Sequence, residues 1–262
     1  MNRVTLIIPA AGQGTRFQNA GISTPKPLIP VGKVPMILWV IYNFQLEPND
    51  EVIIVQRRGI DLKLALEGFL SKVKYKVSFV EIPELSEGPA DSVRSTFSML
   101  PQNSAVIVAN SDQYILADLR EFVREVRNGA PEGKILTMWA SGPQWSYVSK
   151  HNGIVDLVKE KEEISNEATV GVYAWSGKEI MIKSFNAMFE ANDRTNSEFY
   201  VAPSYNYLLK EGNIVSTYNI GSHGEYVHGL GTPEDLNDFL NLESFDLQSN
   251  LVEKYFYNPE NS

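Results

Sequence analysis

The sequence contains no cysteine, and this absence excludes several kinds of site. Without thiols there is no disulfide framework, no thiolate zinc site and no cysteine nucleophile. The chain also lacks any apolar run close to the roughly 18 residues that a membrane-spanning helix needs. Its first residues lead directly into a strand at Val4, without room for a signal peptide. These absences predict a soluble, cytoplasmic protein with no membrane partner.

Basic charge is scarce as well, because the formal net charge is −9. Nucleic acids and anionic membranes require a basic surface, so we expect neither as a partner. A small anionic ligand remains compatible, since a few cations in a cleft can bind phosphate on an acidic protein. The 262 residues, of which 43% are apolar and 21% charged, are typical of one globular domain.

Apolar strands alternate with amphipathic helices in the first half of the chain. The pattern predicts strands at 4–9, 51–55, 76–82 and 105–109, and helices at 36–46, 62–70 and 89–100. Proline at position 89 suits the first turn of its helix, where the missing N–H is not needed. This β-α order predicts an open, largely parallel sheet covered by helices.

The second half is mixed in character. We predict strands at 134–140, 154–158, 168–175 and 213–218, and helices at 178–191, 203–210 and 232–240. The last of these helices has a strong start signal, with Thr232 as N-cap, Pro233 in the first position and Asp235 three residues after the cap. The fold class is therefore α/β, a single domain over 1–240, followed by a tail at 241–262 that forms a terminal helix and a frayed end.

The run between Pro9 and Pro27, PAAGQGTRFQNAGISTPKP, is the most informative segment. It leaves the first strand at its carboxyl end, the edge of an open sheet where ligands bind. Closely spaced glycines let successive backbone N–H groups form a nest for an anion. Arg16 can grip phosphate oxygens with its planar fork, and Lys26 can add a point charge. The alternative is a Gly-rich surface turn with unrelated charges nearby.

Two common phosphate loops do not match this run. The dinucleotide fingerprint requires a third glycine where Phe17 stands, which disfavours a dehydrogenase. The Walker loop requires Gly-Lys followed by Ser or Thr, whereas Gly14 is followed by Thr15 and Arg16. The chain is therefore predicted to bind phosphate by another arrangement.

The segments PAAGQGTRF and TPKPLIPVGKVPMI resemble the signature of the sugar nucleotidyltransferases, the nucleotide-sugar pyrophosphorylases. The resemblance implies a Rossmann-like nucleotide-diphospho-sugar transferase fold, with an NTP-binding half at about 1–130 and an acceptor-binding half at about 131–240. It also implies that Arg16 contacts the β- and γ-phosphates and that Lys26 contacts the α-phosphate. The remaining residues that it assigns to the NTP are Ala11, Gly12, Gly14 and Thr15.

Asp112 follows the strand predicted at 105–109. A carboxylate at the carboxyl end of a strand can coordinate Mg²⁺, a hard cation that prefers oxygen, although Asn-Ser-Asp is also ordinary turn chemistry. The resemblance implies that Asp112 binds Mg²⁺, with Mn²⁺ as an alternative.

The chain departs from the family pattern at its second metal aspartate, because Gly229 stands in the expected place. His228, Glu225 or water would have to complete the site. A histidine ligand suits Mn²⁺ better than Mg²⁺. The alternative is that His228 has a structural role, with its imidazole packed against other side chains.

The resemblance assigns the remaining site residues to two groups. Gly88 lies in the loop that reads the nucleobase in the family. The residues matched to the acceptor side are Glu160, Lys161, Glu198 and Tyr200. Each has a structural alternative, since KEKEE is typical of a solvated turn and the tyrosine of a core aromatic.

We therefore predict transfer of a nucleoside monophosphate from an NTP to a sugar 1-phosphate or similar small phosphorylated acceptor, with release of pyrophosphate. The alternatives are a glycosyltransferase of the related fold and a non-catalytic nucleotide-binding protein. The nucleobase, the acceptor and homo-oligomerisation are not determined by the sequence.

Overall fold

The computed structural model describes residues 3–83, 85–129 and 131–257. The strands, numbered in chain order, are β1 (Arg3–Pro9), β2 (Pro30–Val31), β3 (Val34–Pro35), β4 (Glu51–Arg57), β5 (Lys76–Ile82), β6 (Ser104–Ala109), β7 (Gln113–Ile115), β8 (Gly133–Trp139), β9 (Ser146–His151), β10 (Ile154–Glu160), β11 (Glu167–Trp175), β12 (Val215–Ser222) and β13 (Val227–Gly229). The helices are α1 (Thr15–Asn19), α2 (Met36–Tyr42), α3 (Leu62–Leu70), α4 (Pro89–Arg94), α5 (Arg120–Asn128), α6 (Lys178–Glu190), α7 (Ser204–Lys210), α8 (Pro233–Leu240) and α9 (Phe245–Tyr257).

A nine-stranded mixed sheet forms the centre of the molecule. Strands β5, β4, β1 and β6 run parallel in that order, and β11 lies antiparallel beside β6. Strand β8 is antiparallel to β11, and β12 is parallel to β8. The hairpin β9–β10 pairs with the beginning of β11. The prediction of an α/β fold with a mostly parallel sheet is confirmed.

Strand β1 is buried on both faces, as its unbroken apolar sequence predicts. Leu6 and Ile8 point into one hydrophobic cluster, which also contains the buried helix α2. Ile7 points into a second cluster on the opposite face, which contains residues of α4 and α6. Helices therefore cover both faces of the sheet and leave its edges uncovered.

Two predicted helices end earlier than the sequence pattern indicated. Helix α2 ends at Tyr42 rather than at 46, because the Asn43 side chain leaves the helix to bond the backbone of Gln113 and Ile115 at 3.1 and 3.0 Å. Helix α4 ends at Arg94 rather than at 100, and a short 3₁₀ turn, Phe97–Met99, follows it. Local hydrogen bonds from side chains compete with helix continuation at both ends.

The sequence prediction missed helix α5 and strand β9. Helix α5 carries Phe122, Val123 and Val126 on its buried side, and Gly129 ends it with a φ of 82°. Strand β9 turns into β10 through Asn152 and Gly153, whose φ angles of 51° and 80° match the tight hairpin turn that Asn-Gly favours. Both elements had signals in the sequence that the prediction did not use, namely the apolar spacing in α5 and the Asn-Gly turn after β9.

The end of the chain follows the expected pattern. The Thr232 side chain accepts the backbone N–H of Asp235 at 3.0 Å, which confirms the predicted N-cap of α8. Helix α9 forms within the predicted tail, and it buries Val252 and Phe256 in the cluster that contains α2. Positions 258–262 of that tail lie outside the described residues. Within the described ranges, no helix is long and apolar enough to cross a membrane.

The buried carboxylate of Asp50 fixes the amino-terminal end of the sheet. It accepts two hydrogen bonds of 2.8 Å from the Arg127 guanidinium on α5. It also accepts the backbone N–H groups of Val4 and Glu47, each at 2.8 Å. The side chain of Asp50 is 0% exposed and that of Arg127 is 8% exposed, so the pair has left solvent almost completely. Helix α5, strand β1 and the loop before β4 are thereby joined at one carboxylate.

Replacing Asp50 tests this joint. Asp50→Ala leaves the guanidinium of Arg127 and two backbone N–H groups without this acceptor, so we expect a loss of about 3–5 kcal/mol in the free energy of unfolding. Urea denaturation of both proteins measures it. Asp238→Ala replaces an exposed aspartate of α8 and serves as the control, with a change within about 0.5 kcal/mol. A loss below about 1 kcal/mol for Asp50→Ala would contradict the assigned role.

Candidate active site

Two cavities open side by side at the carboxyl edge of β1 and β6. The first, of about 380 Å³, is lined by the loop after β1 and by the 85–92 segment, and we name it the loop cavity. The second, of about 310 Å³, is bordered by the β9–β10 hairpin and the beginning of β11, and we name it the hairpin cavity. Pro89 lines both cavities. The two cavities therefore adjoin at Pro89.

The structure distributes the predicted site residues between these two spaces. Those that line the loop cavity are Gly12, Gly14, Thr15, Gly88 and Glu198. Those that line the hairpin cavity are Arg16, Asp112, Glu160, Lys161 and Tyr200. Ala11 lies beneath the loop with its side chain in the core. Lys26 reaches the boundary through its contact with Asp112.

The loop after β1 is held directly against Lys26. Gly14 has a φ of 68° and precedes α1, whose Phe17 is buried in the core. A Cβ on Gly14 would lie 3.1 Å from the Cβ of Lys26, so a glycine is needed both for the backbone angle and for this approach. The loop after β1 therefore fixes the position of Lys26, the second cation of the predicted phosphate site.

Lys26, which lines neither cavity, forms an ion pair with Asp112 at the wall of the hairpin cavity. The Lys26 ammonium donates a hydrogen bond to Oδ2 of Asp112, and the two side chains are only 20% and 25% exposed. The Asp112 carbonyl accepts the N–H of Leu230 at 2.8 Å, which brings the loop after β13 against it. A Cβ on Gly231 would lie 2.6 Å from Oδ2 of Asp112. The glycine at 231 therefore leaves the space that this carboxylate occupies.

Of the two residues considered as substitutes for the second metal aspartate, His228 is partly buried with no hydrogen-bond partner for Nε2 among the described residues, and Glu225 bonds within its own turn. The His228 ring packs 5.4 Å from Phe239, and burial lowers the pKa of its imidazole. The Glu225 carboxylate accepts the N–H of Ser222 at 3.4 Å within its own turn. Among residues 3–83, 85–129 and 131–257, no group of three His, Cys, Asp or Glu side chains could hold a metal ion. Asp112 thus stands as a single carboxylate.

Glu160 and Lys161 end strand β10 at the wall of the hairpin cavity. Burial raises the pKa of the Glu160 carboxyl, while a hydrogen bond from the Ser146 hydroxyl and the charge of Lys161 act in the opposite direction. Lys161 has a left-handed φ of 57°, and its N–H donates to the Trp145 carbonyl at 3.0 Å. Its ammonium donates to the Tyr200 hydroxyl and lies 4.3 Å from the centre of that ring.

The segment 194–200 packs on the loop that carries Gly88. Phe199 donates its N–H to the Glu87 carbonyl at 2.7 Å and accepts the N–H of Ala90 at 3.0 Å. This pairing turns Glu198 toward the loop cavity, whereas Tyr200 faces the hairpin cavity. The two residues were expected on one acceptor side, and the structure places them on different cavities. Burial, followed by the Glu198 carboxylate, raises the pKa of Tyr200.

The sequence prediction missed several lining residues of the hairpin cavity, namely Asn110, Gln113, Gln144, Trp145, Ser146, Thr169 and Tyr173. The Asn-Gly turn would have revealed the β9–β10 hairpin and therefore the loop that carries Trp145 and Ser146. Gln113 directly follows Asp112, so the predicted site at the aspartate could have included it. Thr169 and Tyr173 gave no signal beyond that of a buried strand.

Comparisons with known proteins agree on one kind of domain. The model of the MobA-like NTP transferase domain matches residues 6–166. The chain is 25% identical over 237 residues to the bifunctional protein GlmU of Bacillus subtilis, across 86% of this chain and 49% of that protein. It is 25% identical over 182 residues to the mannose-1-phosphate guanylyltransferase catalytic subunit beta of Drosophila pseudoobscura pseudoobscura, across 67% of this chain and 48% of that protein. The chain thus spans about half the length of these relatives.

One solved structure shows the same fold over almost the whole chain. It is the nucleoside-diphosphate-sugar pyrophosphorylase of Vibrio cholerae RC9, with a TM-score of 0.75 and 20% sequence identity. The superposition covers 90% of this chain and 100% of that one. At this identity the likeness concerns the fold alone.

The Ser146 hydroxyl offers a direct test of the electrostatics in the hairpin cavity. Because it donates to the ionised Glu160 carboxylate, Ser146→Ala should raise the pKa of Glu160 further above its ordinary value. Carbon-13 NMR titration of labelled glutamate side chains measures this shift. Ser165→Ala removes a hydroxyl that bonds the Val148 carbonyl and should leave the Glu160 titration unchanged. An unchanged or lower pKa in Ser146→Ala would contradict the assignment.

Proposed function

The chain belongs to the family of MobA-like NTP transferase domains, and we propose that it transfers a nucleoside monophosphate from an NTP to a phosphorylated acceptor. The acceptor is a sugar 1-phosphate or a similar small phosphate ester, and pyrophosphate is released. The observation that carries this proposal is the Lys26–Asp112 pair, in which a lysine beside the Gly-rich loop meets an aspartate that lines the hairpin cavity. The name of the Drosophila relative, a mannose-1-phosphate guanylyltransferase, points to the same kind of acceptor.

We assign one substrate to each cavity. The NTP occupies the loop cavity, where Gly12, Gly14 and Thr15 face its phosphates and the segment at Gly88 faces its base. The phosphorylated acceptor occupies the hairpin cavity, with its phosphate near Lys161 and Arg16. The reacting phosphates then meet near Lys26, at the boundary of the two spaces.

Positioning and charge neutralisation are sufficient for this reaction. An oxygen of the acceptor phosphate attacks the α-phosphorus of the NTP, the bond to the β-phosphate oxygen breaks, and pyrophosphate leaves with that electron pair. The attacking group is already anionic, so no strong general base is required. Arg16 and Lys26 hold the phosphates in line and offset the negative charge that accumulates between them.

A divalent cation fits this arrangement, with Asp112 as its protein ligand. Mg²⁺ commonly takes one or two carboxylates and completes its shell with water and substrate phosphates. The space that Gly231 leaves open keeps the Asp112 carboxylate accessible beside the Lys26 ammonium. When bound, Mg²⁺ or Mn²⁺ would neutralise phosphate charge and orient the leaving group.

A non-catalytic nucleotide-binding protein is the second candidate. The observation that favours it is the missing second carboxylate, since Gly229 stands in its expected place. It predicts nucleotide binding without pyrophosphate release for any acceptor. A glycosyltransferase would release a nucleoside diphosphate instead. Product analysis therefore separates all three functions.

Replacing either member of the central ion pair tests the proposed reaction. We expect Lys26→Ala and Asp112→Ala each to lower turnover by at least about 10²-fold, because the first removes a positive charge directed at the reacting phosphates and the second removes the carboxylate that would hold the divalent cation. The assay measures pyrophosphate release from five NTPs with a panel of phosphorylated acceptors and Mg²⁺ or Mn²⁺. The matched controls are Lys33→Ala and Asp118→Ala, whose exposed ion pairs lie elsewhere. Near-normal activity of either test variant would overturn the assignment.

Gly231→Ala provides an independent test of the same carboxylate. The new Cβ would lie 2.6 Å from Oδ2 of Asp112 and 3.6 Å from Nζ of Lys26, so the ion pair must shift. We expect turnover to fall by about 10²-fold, as for other small displacements of a reacting group. The melting temperature should change little. Gly68→Ala, whose Cβ meets nothing within 4 Å, should retain full activity.

A further inference from the structure

A third cavity, of about 420 Å³, opens at the edge of the sheet opposite the candidate active site. It lies between residues 42–48, residues 73–75 and residues 251–255 of α9, and we name it the tyrosine cavity. The first two segments precede the parallel strands β4 and β5, so this cavity lies at the amino ends of the strands. The candidate active site lies at the carboxyl ends. One small ligand therefore cannot occupy both places.

The tyrosine cavity forms where helix α2 stops. Tyr42 is the last residue of α2 and is only partly buried. The next side chain, Asn43, bonds the backbone of β7, and Gln45 has a left-handed φ of 41°, which is uncommon for a residue other than glycine. The chain therefore turns away from the helix axis directly after Tyr42. This turn leaves a hollow between the end of α2 and α9.

Aromatic and aliphatic side chains form most of its wall. The rings of Tyr42 and Tyr255 meet edge to face, with their centres 5.3 Å apart. Leu46 and Tyr75 line the same space and are buried. Since an apolar cavity of about 150 Å³ can hold benzene, a volume of about 420 Å³ accommodates two fused rings. Aromatic rings pack favourably on aromatic walls, so the cavity suits a flat apolar body.

The charge at this cavity is of one sign. Lys74 and Lys254 line it, whereas none of its described lining residues is acidic. Neither lysine forms an ion pair with a carboxylate in the described part of the chain, although Lys76, two positions after Lys74, pairs with Glu51 at 2.7 Å. Two unpaired cations at one apolar hollow are notable in a chain with a net charge of −9. They favour an anionic ligand and disfavour a cationic one.

The donors at this cavity suit a carboxylate better than a phosphate. Phosphate is typically held by the planar fork of arginine or by a nest of backbone N–H groups, and no arginine or glycine is among the described lining residues. Lysine presents a point charge on a flexible stem, so Lys74 and Lys254 can both reach one small anionic group. A carboxylate carries a single charge, and it can be attached directly to an aromatic ring.

We propose that the tyrosine cavity is a second ligand site, separate from the candidate active site, and that it binds a small aromatic carboxylate. The rings of the ligand lie among Tyr42, Tyr75 and Tyr255, and its carboxylate pairs with Lys74 and Lys254. The site is independent of the proposed nucleotidyl transfer, because it shares no residue with the loop cavity or the hairpin cavity.

Three probes with one ring system and different charge test the ligand class. The full chain is titrated calorimetrically with 2-naphthoate, with the uncharged 2-naphthamide and with the cationic 2-naphthylmethylammonium. We expect 2-naphthoate to bind about tenfold more tightly than the amide, because its carboxylate gains two exposed ammonium partners, and the cation to bind most weakly. Decanoate tests the shape of the ligand and should bind more weakly than 2-naphthoate.

Lysine variants locate the carboxylate. Lys74→Gln and Lys254→Gln should each weaken 2-naphthoate binding by about threefold and leave 2-naphthamide binding unchanged. Lys210→Gln is the matched control, since this exposed lysine lies over the Tyr207 ring at 4.4 Å outside the cavity. A loss of 2-naphthoate binding in Lys161→Gln, but not in Lys74→Gln or Lys254→Gln, would place the probe in the hairpin cavity and overturn the proposal.

Leu251→Glu tests the wall without disturbing the core, because the leucine is 43% exposed. The added carboxylate repels the probe, so we expect 2-naphthoate binding to weaken by at least about tenfold. Leu247→Glu, on the same helix but outside the cavity, should bind normally, and thermal melting checks that both variants are folded. Unchanged binding in Leu251→Glu, equal affinity for carboxylate and amide, tighter binding of decanoate, or no saturable 2-naphthoate binding in the millimolar range would each overturn the proposal.

Discussion

The central position of β1 between two parallel neighbours is the constraint on which the site depends. Ile7 pairs with Ile53 on β4 and with Val108 on β6, and all three side chains are buried. Because the strands are parallel, the loop after β1 and the loop after β6 leave the sheet at the same edge. This brings Lys26 and Asp112, 86 residues apart in the chain, into one ion pair. The phosphate loop by itself would have no partner carboxylate.

The site depends as much on glycines, which carry no side chain, as on charged residues. Gly14 admits Lys26, and Gly231 admits the Asp112 carboxylate, each at a distance that a Cβ would prevent. A Cβ on Gly231 would lie 2.6 Å from Oδ2 of Asp112, and the N–H of Leu230 donates to the Asp112 carbonyl at 2.8 Å. The close approach of the backbone to Asp112 is therefore a specific property of the loop after β13.

The two cavities are connected by one irregular segment. Residues 194–200 pair with the Gly88 loop through the backbone of Phe199 and through an ion pair between Arg194 and Glu87. The same segment ends in Tyr200, which meets Lys161 on the other cavity. A displacement of this segment would affect both cavities together. The positions of the walls of the two cavities are therefore coupled through a single run of chain.

The sequence by itself determined the fold class, because buried strands alternate with helices along it. From residue types at fixed spacing it also predicted a phosphate loop, two cations beside that loop and a candidate metal carboxylate. It also indicated Glu160, Lys161 and Tyr200 through a family resemblance. Only the tertiary structure placed Glu198 on the loop cavity and His228 against Phe239, since packing between distant segments sets the direction of a side chain. The same is true of the tyrosine cavity, since its walls come from three segments that are distant in the sequence and meet only in the folded chain.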